Sequence, residues 1–167
     1  MDRDIYLFHQ TPDELAKQLI LEVDLHDDDI ILEPFRGEGA FYNNLPEYVK
    51  KEWCEIEDGR DYKDHEGHID WVISNPPFKL EHDRGRINSF WYLIDYYTDR
   101  VSKGIAFLGN DNCFSSLTPL RIKKLNDKGF YINKIVVCSV KKWRGRYFFI
   151  VIDKKPSNFY KCIQGSF

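Results

Sequence analysis

The chain predicts an α/β fold, a mostly parallel, doubly wound sheet closed by an antiparallel pair of strands. Three observations carry this. Apolar, β-rich runs alternate with segments of helical spacing along the 167 residues. The first such run leads straight into a glycine turn, Gly37 and Gly39. The last two β-rich runs, 132–140 and 147–153, are separated by only six residues. That connection is too short for a parallel crossover, so the two runs should pair antiparallel.

The elements follow in order. Thr11-Pro12-Asp13-Glu14 reads as a helix start, with Thr11 as cap, Pro12 in the first turn and Glu14 closing a capping box. Leu15, Ala16, Leu19 and Ile20 then form an apolar stripe to about residue 21. Asp27-Asp28-Asp29 is a solvated turn, and 29–33 is the first strand. The second strand is expected at 53–57 and the third at 70–74. Residues 79–86, with Arg84, Gly85 and Arg86, read as a mobile loop able to close over a substrate. Phe90, Leu93, Ile94 and Tyr97 predict a helix over 87–101. A strand is expected at 104–108, and a helix over 119–128 ended by Gly129.

Composition narrows the class. At 43% hydrophobic and 16% aromatic, the chain can build a core, and its length suits one domain, 1–167. No run approaches the ~20 apolar residues of a membrane span. Met1-Asp2-Arg3-Asp4 lacks the features of a signal peptide, so a cytoplasmic location, or a host cell's cytoplasm for a viral protein, is expected. Cys54, Cys113, Cys138 and Cys162 are scattered, which suits reduced thiols. His65 and His68 with Cys54 or His82 lack a paired Cys-x-x-Cys, so no metal site is expected. The net charge of −3 hides an asymmetry. Residues 1–99 carry 10 basic against 24 acidic side chains, and residues 100–167 carry 14 against 3. Either the C-terminal part offers a basic surface to phosphates, or the two parts neutralise one another in the fold.

Two motifs point to chemistry. Asn75-Pro76-Pro77-Phe78 follows the apolar run Trp71-Val72-Ile73. Two prolines lock the backbone and remove two N–H donors. An amide, rigid carbonyls and an aromatic face remain. Such a set can accept both hydrogens of an exocyclic amine and stack on its ring, although Phe78 could also be a core ring. Upstream, Glu33-Pro34-Phe35-Arg36-Gly37-Glu38-Gly39 leaves the first strand at its carboxyl end, where open α/β sheets bind ligands.

In this order and spacing the chain resembles the S-adenosylmethionine-dependent amino-methyltransferases, above all those that methylate adenine N6. The Asn75 tetrapeptide resembles their motif IV, and the Glu33 turn resembles motif I. The resemblance implies a Rossmann-like methyltransferase fold. It also implies S-adenosylmethionine as cofactor, with Glu33, Pro34, Phe35, Gly37 and Gly39 beneath its methionine part and Asn75 beside it. Tyr6-Leu7-Phe8-His9-Gln10-Thr11-Pro12 resembles motif X, which makes Thr11 and Pro12 cofactor contacts. Glu55 and Glu57 compete for the acidic position that receives the ribose hydroxyls, with Glu55 preferred because Glu57 begins a turn. Asp61 is the candidate acceptor for the cofactor's adenine amine, or else a solvated loop acid. The dozen residues between the second strand and Asn75 are too few for the helix, strand and helix usual there. A trimmed sheet of about six strands follows.

The implied substrate is adenine N6 in nucleic acid, DNA in preference to RNA. An RNA adenine, cytosine N4 or a protein glutamine would suit the same pocket, and a non-catalytic nucleic-acid- or partner-binding subunit is the alternative of another class. Lys141, Lys142, Arg144 and Arg146 could meet phosphates while Trp143 stacks on a base, or Trp143 could simply cap the core. No target-recognition domain fits in the chain, so a protein partner could supply target choice. The small size and Tyr-, Lys- and Asn-rich composition suit a phage or viral orphan enzyme.

Overall fold

The computed structural model describes residues 10–82 and 85–163. Tyr6, Leu7, Phe8 and His9 of the N-terminal segment, Arg84 and the Arg86 side chain lie outside the described residues. Eight strands and five helices are described. In order they are α1 (Asp13–Ile20), β1 (Ile30–Glu33), α2 (Ala40–Asn44), β2 (Lys50–Trp53), β3 (Ile69–Ser74), β4 (Lys79–His82), β5 (Gly85–Asn88), α3 (Ser89–Thr98), β6 (Val101–Asn110), α4 (Asp111–Ser115), α5 (Pro119–Asp127), β7 (Tyr131–Cys138) and β8 (Tyr147–Asp153).

Six strands make the main sheet, in the order β2-β1-β3-β6-β8-β7. β2, β1, β3 and β6 run parallel, and β8 runs antiparallel to both β6 and β7. The expected six-stranded, mostly parallel sheet with an inverted strand near its end is therefore present. Burial on both faces explains the near-continuous apolar strands. Leu32, Val72, Ile105 and Ile150 face a layer containing Phe90, Leu93, Ile94 and Tyr97 of α3 and Ile122 and Leu125 of α5. Their neighbours Ile31, Trp71, Ile73, Ala106, Phe149 and Val151 face Ala16, Leu19 and Ile20 of α1 and Phe41 of α2. The strand period of two sends alternate residues to opposite layers.

Several elements depart from the sequence expectation. The capping box is absent. Pro12 occupies the cap position of α1 without a side-chain cap bond, and Glu14 pairs with Lys17 at 2.8 Å. β2 ends at Trp53, not at 57, because the Glu55 carboxylate accepts the Glu57 N–H and closes a short 3-10 turn, Ile56–Asp58. The stretch after Phe78 is a two-stranded hairpin and not a loop. Leu80 pairs with Ile87 across it, which removes Ile87 from the expected helix. Asn88 then caps α3 by accepting the Phe90 N–H at 3.1 Å. β6 is ten residues long, twice the expected run. At its end Asn110 accepts the Cys113 N–H at 3.0 Å and starts α4, which no apolar stripe announces.

Five of the fourteen basic side chains of the C-terminal part pair with acids of the remainder among the described residues. Lys124 pairs with Asp95, Lys128 with Asp95 and Asp99, Lys134 with Glu22, Lys155 with Asp24, and Lys103 with the buried Asp29.

Candidate cofactor and acceptor site

The strand registers bring the sequence motifs to one edge. Glu33 pairs with Trp53, Ser74 with Phe107, and Asn110 with Tyr147. The carboxyl ends of β1, β2, β3 and β6 therefore lie side by side, and the 141–146 connection emerges at that same edge. This is where ligands bind in open α/β sheets.

The turn after β1 is shaped by backbone contacts. Gly37 and Gly39 have φ of 53° and 89°, a region that favours glycine. The Arg36 N–H donates to the Cys54 carbonyl at 3.0 Å, and the Gly39 N–H to the Arg36 carbonyl at 2.8 Å. A Cβ on Gly39 would lie 2.9 Å from Asn43 Nδ2. Pro34 is buried and Phe35 half-buried. The Phe35 ring tilts against Tyr62 at 5.1 Å between centroids. Glu33 is 2% exposed, and its Oε2 accepts the Tyr42 N–H at 2.7 Å. Burial pushes its carboxyl up to about 8 despite that hydrogen bond and the charge of Arg36.

Glu55 stands against this turn. Its Oε2 accepts the Gly37 N–H at 2.7 Å and its Oε1 the Glu57 N–H at 3.3 Å. Glu55 is 9% exposed, whereas Glu57 lies in solvent. Asp61 is half-buried, and its carboxylate caps the next short turn by accepting the Lys63 N–H at 2.9 Å. Beside them the Trp53 indole lies between two guanidinium groups, Arg36 at 3.7 Å and Arg60 at 3.9 Å from the ring centroid. Arg36 also pairs with Asp58 at 2.6 Å.

The Asn75 loop is held from two sides. Asn75 Nδ2 donates to Thr11 Oγ1 at 3.2 Å, across 64 positions of sequence. The Ser89 hydroxyl donates to the Pro77 carbonyl, and the Ser89 N–H donates to the Phe78 carbonyl at 3.2 Å. Phe78 is half-buried and touches both core layers. Pro12 is exposed. Ser89 is a contributor that sequence reading passed over. Its signal was Asn88, a cap residue just ahead of an apolar stripe.

In the 141–146 connection, Lys141, Lys142, Arg144 and Arg146 are exposed. Arg146 lies 3.3 Å from Asp111. Trp143 is half-buried, packs on the α1 side of the core and meets Tyr147 at 4.5 Å between centroids. His65 pairs with Glu52 and His68 with Asp70. Among the described residues no group of three or more His, Cys, Asp or Glu could hold a metal ion. No described helix is long and apolar enough to cross a membrane.

No family model matches the chain, and no curated protein does. Solved structures do match. A Listeria monocytogenes protein assigned to the class I S-adenosylmethionine-dependent methyltransferases aligns with a TM-score of 0.66 at 15% identity, over 93% of this chain and 63% of its own. TrmN from Thermus thermophilus aligns at 0.60 and 16%, over 90% of this chain and 51% of its own. A protein assigned as the modification subunit of a type I restriction enzyme from Vibrio vulnificus aligns at 0.64 and 12%, over 86% of this chain and 44% of its own. The chain thus spans about half to two-thirds of the length of these proteins. It has the class I methyltransferase fold, with a mostly parallel sheet and an antiparallel strand near its end.

Proposed function

We propose that the chain is an S-adenosylmethionine-dependent N-methyltransferase acting on the N6 amine of adenine in nucleic acid, DNA in preference to RNA. The observation that carries this reading is the Asn75-Pro76-Pro77-Phe78 loop at the carboxyl end of β3, one strand from the glycine turn after β1, in a methyltransferase fold.

The residues present fit the cofactor. Each Glu55 oxygen takes one backbone N–H, and a carboxylate oxygen has a second lone pair for a ribose hydroxyl. The turn through Gly37 and Gly39 has positive φ at both positions and carries no side chain of its own there. Asp61 offers a half-buried acceptor in the segment that follows Glu55. When bound, S-adenosylmethionine supplies an electrophilic methyl group whose sulfur leaves with the bonding electron pair.

The chain's own residues prepare the nucleophile. Adenine N6 is a poor one because its lone pair is delocalised into the ring. Asn75 Oδ1 and the Pro76 carbonyl accept its two hydrogens, favour a tetrahedral nitrogen and stabilise the positive charge that develops there. Phe78 stacks on the base and holds N6 in line. After transfer the surplus N6 proton passes to water. In a duplex the base must first leave the stack. Lys141, Lys142 and Arg144 offer phosphate contacts at the same edge. We take 1–167 as one catalytic domain whose target choice comes from a protein partner; a protein assigned as a subunit of a restriction enzyme shares its fold.

The test is transfer of a radiolabelled methyl group to DNA, RNA and protein in parallel. Label in DNA as N6-methyladenine is the expected result. Label in RNA, in cytosine or in protein would redirect the substrate, and no cofactor binding at all would overturn the reading. Asn75→Ala should lower turnover by ~10²–10³-fold, as for loss of one transition-state hydrogen-bond partner. The dissociation constant for S-adenosylmethionine should change little.

A further inference from the structure

We propose that Ser89, the first residue of α3, is a positioning residue that fixes the backbone of the Asn75-Pro76-Pro77-Phe78 loop relative to the glycine turn. The inference rests on the proposed function and adds a residue role to it.

A loop with two successive prolines is rigid only in part. The pyrrolidine rings fix φ at Pro76 and Pro77 and leave ψ to turn. Rotation about ψ of Pro77 swings its carbonyl and, with the same peptide plane, the chain that leads to Phe78. Prolines have no N–H, so at these two positions the backbone can be held only through its carbonyls. Ser89 holds two carbonyls in succession. Its hydroxyl donates to the Pro77 carbonyl, and its N–H donates to the Phe78 carbonyl at 3.2 Å. The first bond sets ψ of Pro77, and the second sets how the chain leaves Phe78. Phe78 packs on both core layers whatever Ser89 does. What Ser89 sets is the backbone from which that ring projects. Among the described residues none donates to the Pro76 carbonyl, which leaves it to the target amine.

The local sequence releases Ser89 for this task. Asn88 caps α3 by accepting the Phe90 N–H at 3.1 Å, so the Ser89 hydroxyl is not spent on capping. The Ser89 N–H lies in the first turn, where a helix has no internal acceptor for it. Ser89 is 0% exposed, so water does not compete for either bond. The hairpin delivers it there. Lys79 pairs with Asn88 at the hairpin base, and the bond from Ser89 to Phe78 extends that pairing by one step.

The same helix leans on the glycine turn. Tyr96, about two turns along α3, meets Tyr62 edge to face at 5.5 Å, and Tyr62 tilts against Phe35 at 5.1 Å. α3 thus grips the acceptor loop at its first residue and reaches the turn after β1 through Tyr62. Methyl transfer requires donor and acceptor atoms roughly 3–3.5 Å apart and in line, so the support shared by the two loops governs their spacing.

Ser89→Ala deletes the hydroxyl and keeps the N–H, and Ser89→Thr restores a hydroxyl. Three measurements on the full chain test the idea. With S-adenosylmethionine saturating and an adenine-containing oligonucleotide as acceptor, Ser89→Ala should lose about ten- to a hundredfold in kcat, the cost of a small misplacement of reacting atoms. Ser89→Thr should recover part of that loss, and the dissociation constant for S-adenosylmethionine should change little in either variant. In a Phe78→Ala background, adding Ser89→Ala should cost much less than it does alone, because the ring carried by that backbone is already gone. Amide hydrogen exchange gives a readout free of turnover: Ser89→Ala should speed exchange at residue 89 and in β4 and β5, and leave α1 unaltered. Thermal melts check folding, and Ser89→Cys replaces alanine if Ser89→Ala melts early. Unchanged kcat in the folded variant, or a loss that simply multiplies with that of Phe78→Ala, would overturn the proposal and leave the methyltransferase reading intact. A wild type that transfers no methyl group to DNA, RNA or protein would overturn both.

Discussion

Glu55 shows how one side chain can organise a ligand edge before any ligand is considered. Its two oxygens tie the glycine turn to the 3-10 turn that follows β2. Removing it should loosen Gly37 as well as delete the acceptor proposed for the ribose. Glu57, in solvent, does neither with its side chain. We expect Glu55→Ala to weaken S-adenosylmethionine binding by at least ~10-fold, about one charge-assisted hydrogen bond, and Glu57→Ala to leave it nearly unchanged. Calorimetric titration of the two variants ranks them, and the opposite order would move the ribose acceptor to Glu57. Gly39 is less suited to such a test. Its φ of 89° and the 2.9 Å approach of Asn43 mean that Gly39→Val would strain the fold itself as well as the approach to a ligand. At this scale the site residues with local signatures were readable: prolines that lock a loop, glycines that turn one, an acid after an apolar strand. Thr11 was misassigned as a cap, because the bond it makes to Asn75 spans 64 positions and no local pattern encodes it.

Among the elements, the connection between β7 and β8 carries the sharpest expectation. Lys141, Lys142, Arg144 and Arg146 are exposed, although Arg146 already has Asp111 beside it. Replacing all four with Ala should weaken duplex binding similarly across sequences. It should reduce the log–log salt slope by roughly 0.9 for each phosphate that the loop neutralises in the wild type. Arg146 should contribute least. Trp143 is packed on Tyr147, so Trp143→Ala should lower the melting temperature and leave the salt slope almost unaltered. Affinities measured at several salt concentrations distinguish these effects, and an unaltered slope in the four-charge variant would remove the loop from the nucleic-acid surface. β8 matched its expected limits because Tyr147–Asp153 is an unbroken buried run. β2 did not, because an edge strand reading Lys-Lys-Glu-Trp has no apolar signature. Its pairing with β1 alone defines it. The hairpin of β4 and β5 escaped notice for a related reason, since the helical spacing of α3 extends backwards through Ile87.

For the whole molecule, charge is the organising quantity. Ion pairs between the basic C-terminal part and the acidic remainder are mostly at the surface, where each contributes little. Acids withdrawn in part or whole from solvent matter more. Asp70 loses solvation on burial. Hydrogen bonds from the Ile30 N–H, Ser102 and His68 outweigh that and hold its carboxyl at about 2. It should stabilise the fold at neutral pH and lose that effect as pH falls from 3.8 towards 2. Glu33 has the opposite sign. Its ordinary value of 4.5 rises to about 8, so across that window the folded chain keeps a proton that the unfolded chain has released. Stability should therefore decline as pH rises from 4.5 to 8 and level off above, with an amplitude on the order of 3–5 kcal/mol. Glu33→Gln should flatten the decline and be the more stable form at pH 8, which urea midpoints across this range would reveal. A wild type whose stability does not fall over that interval would mean that Glu33 is ionised in the folded state.

The fold class, the order of the strands along the chain, the trimmed six-stranded sheet and the two loops on which a methyltransferase reading rests were all legible in the amino acids alone. Each is encoded by residues near one another: a two-residue alternation, a proline pair, a glycine turn, a connection too short to cross over. Packing in three dimensions settled the rest: which basic side chains meet acids, where the polar edge strand lies, and that Thr11 meets Asn75, Ser89 meets the Pro77 carbonyl and Glu55 meets Gly37. Those bonds join segments from 12 to 64 positions apart. Their geometry depends on which strands become neighbours in the sheet, and burial of apolar faces sets that order without regard to the polar groups it brings together.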